Sequence, residues 1–293
     1  MRILITGAAG QVGTELVAKA GDKAIGVDRS QLDISNEAAV LSLLQTHKPS
    51  IVINAAAYTA VDKAEQEPDR AFAVNRDGAR HLASACRILG IPLLHISTDY
   101  VFDGRKPTPY LETDPTSPAG IYARSKCEGE EQIRAQLTEH LILRVSWVFG
   151  IQGNNFAKTI LRLAGERPEL RIIADQHGCP TEAGAIADTL LDLAQRHISG
   201  TKLPWGTYHY TGAPATTWHG FATEIVDQAL ALGMISKAPL VHPITTAEYP
   251  LPAPRPANSL LDGVQAESAL GLVRQDWRQG LQHVLNNLKS KTA

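Results

Sequence analysis

The stretch Arg2-Ile3-Leu4-Ile5-Thr6-Gly7-Ala8-Ala9-Gly10-Gln11-Val12-Gly13 decides the fold. Three branched apolar residues in a row, ending at glycine, read as a short strand buried on both faces, the kind found in parallel sheets. Three glycines at equal spacing follow, and then the helix-like run Thr14 to Ala20. Strand, glycine turn and helix in that order let a backbone approach a pyrophosphate closely, at a helix N-terminus whose free N–H groups attract anions. The spacing Gly-x-x-Gly-x-x-Gly differs from the Gly-x-Gly-x-x-Gly fingerprint and points to one branch of dinucleotide binders.

Working outward, a second strand at Ala24 to Val27 ends on Asp28, where a carboxylate would accept the hydroxyls of an adenosine ribose. That acid favours NADH, while Arg29 beside it eases a 2′-phosphate, so NADH and NADPH both stay open. Asp33 and Ile34 are expected beside the adenine. A helix from Asn36 to Thr46, a strand from Ile51 to Asn54 and the small run Ala55-Ala56-Ala57-Tyr58-Thr59 come next. The small residues suit a flat ligand lying on the backbone, or simply a tight turn. One long helix is expected over Asp69 to Leu89, with Asn75 either on its surface or at the site. The fourth strand, Pro92 to Ile96, runs into Ser97-Thr98-Asp99-Tyr100, and ligands gather at the carboxyl ends of parallel strands. Thr98 is placed to donate to a substrate oxygen, with Asp99 and Tyr100 at a sugar; alternatively the hydroxyls only cap a turn.

In Ile121-Tyr122-Ala123-Arg124-Ser125-Lys126, the phenol and the ammonium fall four apart and share one helix face. A nearby positive charge is expected to lower the phenol pKa and fit it for proton transfer. A fifth strand, Leu141 to Val145, leads to Trp147, a core aromatic or a wall of the sugar pocket. Beyond it the strand–helix alternation loosens: helices at Asn154 to Ala164, Ala185 to Gln195, Trp218 to Leu232 and Trp277 to Leu288, strands at Arg171 to Ala174 and Thr207 to Tyr210. Tyr249 to Pro256 carries four prolines and reads as a lid loop closed by Arg255-Pro256-Ala257-Asn258-Ser259. The expected class is α/β: a doubly wound parallel sheet over residues 1–150, with returns from about 170–212, and a smaller substrate lobe over 151–293.

A chain of 293 residues with net charge −2 and 20% charged residues is an ordinary globular composition. It disfavours nucleic acid and membrane surfaces as partners. No run approaches the ~20 apolar residues of a membrane span. Cys86, Cys127 and Cys179 have neither zinc spacing nor an even number, which fits a reducing cytoplasm.

Together, Gly7, Gly10, Gly13, Asp28, Thr98, Tyr122 and Lys126 resemble the extended short-chain dehydrogenase/reductase superfamily, which implies a Rossmann-like sheet. The stretches Asn54 to Glu65, Ser97 to Phe102, Gly153-Asn154-Asn155-Phe156 and Arg255-Pro256-Ala257-Asn258-Ser259 are similar to those of dTDP-4-dehydrorhamnose reductases. That resemblance implies NAD(P)H-dependent reduction of the C4 keto group of a dTDP-sugar, for rhamnose-containing cell-surface polysaccharide such as lipopolysaccharide. It assigns Gly10, Gln11 and Val12 to the pyrophosphate, and Asp28, Asp33 and Ile34 to the adenosine. Ala57, Tyr58, Thr59 and Ile96 fall to the nicotinamide side. Thr98, Asp99, Tyr100, Trp147, Asn155 and Arg255 fall to the substrate. Tyr122 becomes the proton donor and Lys126 the residue that binds the nicotinamide ribose and tunes it. Some members bridge two subunits with Mg²⁺. Glu15 fits one such position, but Gly184 stands where a matching acid would fall, and the last helix ends in Asn286, Asn287 and Lys289. The expectation is a monomer or homodimer with no metal ligands. Tyr100 directly after Asp99 disfavours a dehydratase; an epimerase and a non-catalytic cofactor-binding regulatory subunit remain the alternatives.

Overall fold

The computed structural model describes residues 2–292. Strand β1 (Ile3–Thr6), helix α1 (Gln11–Ala20), β2 (Ala24–Val27), α2 (Glu37–His47), β3 (Ile51–Asn54), α3 (Gly78–Leu89), β4 (Leu93–Thr98), α4 (Ile121–Gln136) and β5 (His140–Val145) alternate as read from the sequence. The rest of the chain adds α5 (Phe156–Glu166), β6 (Glu169–Ile173), α6 (Ala183–Ile198), β7 (Gly206–His209), α7 (Trp218–Ala231), β8 (Leu240–Ile244), α8 (Val264–Leu270) and α9 (Trp277–Thr292).

The six strands β7-β5-β4-β3-β1-β2 form one sheet, every pair parallel. Alternation along each strand divides the core. Leu4, Val52, Leu93 and Ile142 face α2, α3 and α4. Ile5, Ile53, Leu94 and Leu143 face the other way, onto α1 and α6. The chain reverses direction across the sheet between β1 and β3, so the turns after those strands open on one crevice, the place where doubly wound sheets bind ligands. Helices α5, α7 and α9 pack with the two-stranded β6–β8 sheet around a separate cluster that includes Phe149, Phe221 and Trp277. Among the described residues, no helix is long and apolar enough to cross a membrane.

Several expected elements shift. The fourth strand runs on through Thr98, two residues past the expected end, because Ser97 and Thr98 pair with Arg144 and Val145 of β5. The single helix expected over Asp69 to Leu89 is present and unbroken from Pro68, but it carries a π turn at Ala73–Asp77, after which α3 begins at Gly78. The π turn lets Asn75 face inward. Asn75 is 2% exposed, not on the surface: it bonds both backbone groups of Tyr58 and donates to Ser125 Oγ of α4. Strand β8 and helix α8 were not expected.

Helix α4 meets the π turn so closely that a Cβ at Gly129 would lie 2.2 Å from the Asn75 carbonyl oxygen. Overpacking of this kind against backbone has no cheap relief. Gly129→Ala is expected to lower unfolding free energy by about 3 kcal/mol in urea titration; a change within about 0.5 kcal/mol would mean that the two helices are free to separate.

Candidate active site

Two adjoining hollows open along the carboxyl ends of β1, β3 and β4. The larger, about 650 Å³, is lined by Gly10, Gln11, Val12, Ala57, Thr59, Ile96, Thr98, Asp99, Tyr100, Tyr122, Lys126, Trp147 and Asn155, among others. The smaller, about 220 Å³, is lined by Gly7, Gly10, Asp28, Asp33, Ile34, Ala57 and Tyr58, among others. Ala9, Gly10, Ala55 and Ala57 border both, so the two form one elongated groove.

The glycines build its floor. Gly7 takes φ +73°, and a Cβ there would sit 2.5 Å from the Ala56 nitrogen; one on Gly13 would sit 2.0 Å from the Gly7 oxygen. The first helix therefore starts tight against β1, and Gly13 acts by packing, outside the groove lining. The N-cap of α1 is Gly10, with no side-chain cap. Its first-turn N–H groups are left for a ligand. At the far end, Asp28 Oδ1 accepts from the Ser30 N–H and hydroxyl at 2.8 and 2.6 Å, bonds that hold its pKa down. Arg29 pairs with Asp33 at 3.6 Å. A bare glycine floor, an open helix start and a carboxylate at the end fit a dinucleotide. Among the described residues, no group of three or more His, Cys, Asp or Glu could hold a metal ion. Glu182 rather than residue 184 brings a carboxylate toward Glu15, and it accepts from His283 Nδ1 at 2.7 Å.

Tyr122, Lys126 and Glu130 lie at intervals of four on α4, on its inner face. Glu130 is fully buried and takes Ser97 Oγ at 2.5 Å and Arg144 Nε and Nη2 at 2.9 and 2.7 Å. Burial alone would raise its pKa, but the Arg144 pair outweighs that and keeps it ionised. Lys126 is 2% exposed; its Nζ donates to the Ile96 carbonyl at 2.8 Å and lies 3.2 Å from His95 Nε2. Burial pushes it down to about 8, with Glu130 opposing.

Tyr122 departs from the expected acidified phenol. Burial pushes it up to about 12; the Thr98 hydroxyl eases its ionisation and the Asp99 charge hinders it. Lys126 is turned toward Ile96 and His95, so its charge does not act on the phenol. Such a phenol stays protonated across neutral pH, as a proton donor must.

Thr98 Oγ1 donates to Asp99 Oδ1 at 3.0 Å and accepts from the Tyr100 N–H. Asp99 is 4% exposed, and its Oδ2 has no partner of its own. Opposite, Trp147 takes φ +47°, uncommon for a bulky residue. Its ring stacks on Trp218 at 3.6 Å between centroids, and Phe156 lies 4.6 Å from Trp218. Gly178 makes room: a Cβ there would come 2.3 Å from the Trp147 ring. Trp218 and Phe156 line the cleft but escaped the sequence reading, since an aromatic opening an amphipathic helix looks like core. Tyr58 contributes backbone, because its hydroxyl turns away to Glu67. Arg255 lies outside the lining; it pairs with Asp62 at 2.8 Å and fastens the proline loop. Asn155 caps α5 and donates to Gln11 Oε1, joining that helix to the glycine turn.

The residue pattern matches the RmlD substrate binding domain over residues 1–290. The chain is 45% identical to the dTDP-4-dehydrorhamnose reductase of Aggregatibacter actinomycetemcomitans, covering 97% of this chain and 98% of the relative. Among solved structures it is similar to the dTDP-4-dehydrorhamnose reductase of Clostridium acetobutylicum, with TM-score 0.91, 37% identity, and 99% and 100% of the two chains covered. It is also similar to that of Bacillus anthracis in complex with NADP, with TM-score 0.89, 35% identity, and 98% and 99% covered.

Burial moves the Asp99 carboxyl from 3.8 up to about 6. Between those values the folded protein keeps a proton that the unfolded chain releases. Stability therefore falls as pH rises through that window, and the full cost persists above it. Asp99→Asn is expected to stabilise the fold at pH 8 by about 1–3 kcal/mol, with the gain vanishing near pH 4. Denaturant titrations at the two pH values check this; equal effects at both would mean Asp99 is not strained by its charge.

Proposed function

This chain belongs to the dTDP-4-dehydrorhamnose reductase family, and we propose on that premise how its cleft works. It is an oxidoreductase that reduces the C4 keto group of dTDP-4-dehydro-β-L-rhamnose to dTDP-β-L-rhamnose, the activated sugar for rhamnose-containing polysaccharide. A nicotinamide cofactor, bound along the groove, supplies the hydride.

The chain's own residues then do five things. Gln11 and Val12 offer backbone N–H groups to the pyrophosphate at the start of α1, and Gly10, its own N–H donated to the Gly7 carbonyl, lets the phosphates approach closely. Asp28, Asp33 and Ile34 hold the adenosine end, with Arg29 free to swing from Asp33 toward a 2′-phosphate, so both NADPH and NADH are taken. Ala57, Thr59 and Ile96, with the Tyr58 backbone, form the wall of the nicotinamide pocket, and Lys126 holds the ribose. Thr98, Asp99, Tyr100 and Trp147 orient the sugar. As charge builds on the C4 oxygen, Tyr122 and Thr98, its hydroxyl turned from Asp99, donate hydrogen bonds to it, and Tyr122 gives up its proton. A phenol raised by burial is well matched here, because the acceptor becomes a strongly basic alkoxide.

One observation carries the reading: the phenol, the Thr98 hydroxyl and the glycine turn border the same cleft. A purely regulatory binder would need no phenol held beside the Thr98 hydroxyl in that cleft. The buried free thiols Cys86, Cys127 and Cys179 support a cytoplasmic setting. No metal step is proposed.

Tyr122→Phe is expected to lower kcat by about 10²–10⁴-fold while the cofactor Kd changes less than about threefold. Oxidation of NADPH followed at 340 nm with dTDP-4-dehydrorhamnose, and cofactor titration by fluorescence, provide the two readings. Loss of both in parallel would make Tyr122 a structural residue.

A further inference from the structure

Behind the site, a chain of hydrogen bonds runs through the sheet to Lys126. Its order can be read from donor and acceptor inventory alone. Asn54 Oδ1 accepts from Thr6 Oγ1 at 2.7 Å and from the Ala56 N–H at 3.0 Å. The amide nitrogen of Asn54 must therefore be the atom 2.9 Å from His95 Nδ1. It has only hydrogens to offer, so Nδ1 accepts. A neutral imidazole then carries its proton on Nε2, and Nε2 lies 3.2 Å from Lys126 Nζ. An ammonium has three donors and no acceptor, so Nε2–H and an ammonium would set donor against donor. A neutral amine resolves the conflict: its lone pair accepts from His95, one N–H serves the Ile96 carbonyl at 2.8 Å, and one remains.

We propose that His95 is a positioning residue that, through a tautomer locked by Asn54 and Thr6, biases Lys126 toward its uncharged amine in the ligand-free protein. The remaining N–H is the one available to a cofactor hydroxyl. Above its midpoint Lys126 is discharged, and Tyr122 then faces no buried cation. His95 is 1% exposed, and burial holds it well below the usual histidine range, which excludes an imidazolium, whose second N–H would face the Asn54 amide hydrogens. The charged and titratable groups around the pair are few. Glu130, one turn along α4, favours the ammonium, but it is engaged by Arg144 and Arg134. His140 of β5 repels a charge on His95 and is itself pushed down by burial. Thr6 and Asn54 bring no charge. The catalytic consequence rests on the reductase reading; the tautomer does not.

The test uses ligand-free protein labelled with ¹⁵N-histidine and ¹³Cε-lysine. Nitrogen shifts are expected to show a histidine with bare Nδ1 and protonated Nε2, constant from about pH 6 to 9. Lys126 is expected to titrate near 8. In His95→Gln, one carbonyl oxygen can accept from Asn54 and from an ammonium together, so the Lys126 midpoint should rise by about one unit or more. The alkaline limb of kcat should move with it, while plateau kcat falls less than about fivefold. A proton on Nδ1, an imidazolium, or a Lys126 midpoint unmoved in His95→Gln would overturn the proposal. A uniform loss of activity at every pH would reduce His95 to packing. Failure of the keto-sugar assay with an intact Nε2 tautomer would sink the reductase reading and leave this one standing.

Discussion

The site depends on one buried ion pair. Glu130 has no exposed side-chain surface and is clasped in two places by Arg144, with Ser97 on the same oxygen as Arg144 Nε. Breaking such a pair leaves a bare charge in the core, a penalty of about 3–5 kcal/mol. This fixes the rotation of α4 against β4 and β5. Four and eight residues earlier on the same helix face come Lys126 and Tyr122, so their aim follows from that clasp. Ser97 also ties the clasp to the strand end that presents Thr98 and Asp99. Asn75 holds α4 from the other side, bonding Ser125 and the backbone of Tyr58.

Against this rigid frame, the cleft concentrates polar groups that burial disfavours. Lys126 moves down, and Asp99 and Tyr122 move up, each toward its neutral form and each mainly through desolvation. Burial of these groups makes each hydrogen bond to a developing alkoxide stronger than it would be in water. The unpartnered Asp99 oxygen is a cost the empty protein bears, and a sugar hydroxyl would relieve it.

Much of this was legible in the residues. Apolar runs ending at a glycine, at a run of small residues or at hydroxyl residues marked β1, β3 and β4, since strands buried on both faces have little freedom in composition. The Tyr122–Lys126 spacing marked a helix face. What failed to show had physical reasons. The π turn at Ala73–Asp77 has no composition of its own; it exists because Gly129 lets α4 press on Asn75. The expected tuning of Tyr122 by Lys126 assumed that side chains four apart interact, whereas tertiary partners on β4 draw the amine away. Strand β8, with exposed Leu240 and His242, lacks alternation and is held by pairing with β6. Trp218 lies far from Trp147 in sequence, and only the fold stacks them.

The most direct measurement is a crystal structure of the chain with NADP and dTDP-L-rhamnose bound together. The account predicts the sugar O4 within about 3 Å of both the Tyr122 hydroxyl and Thr98 Oγ1, with C4 facing the nicotinamide. A sugar ring seated away from Tyr122, or a nicotinamide outside the groove next to Ile96, would contradict it.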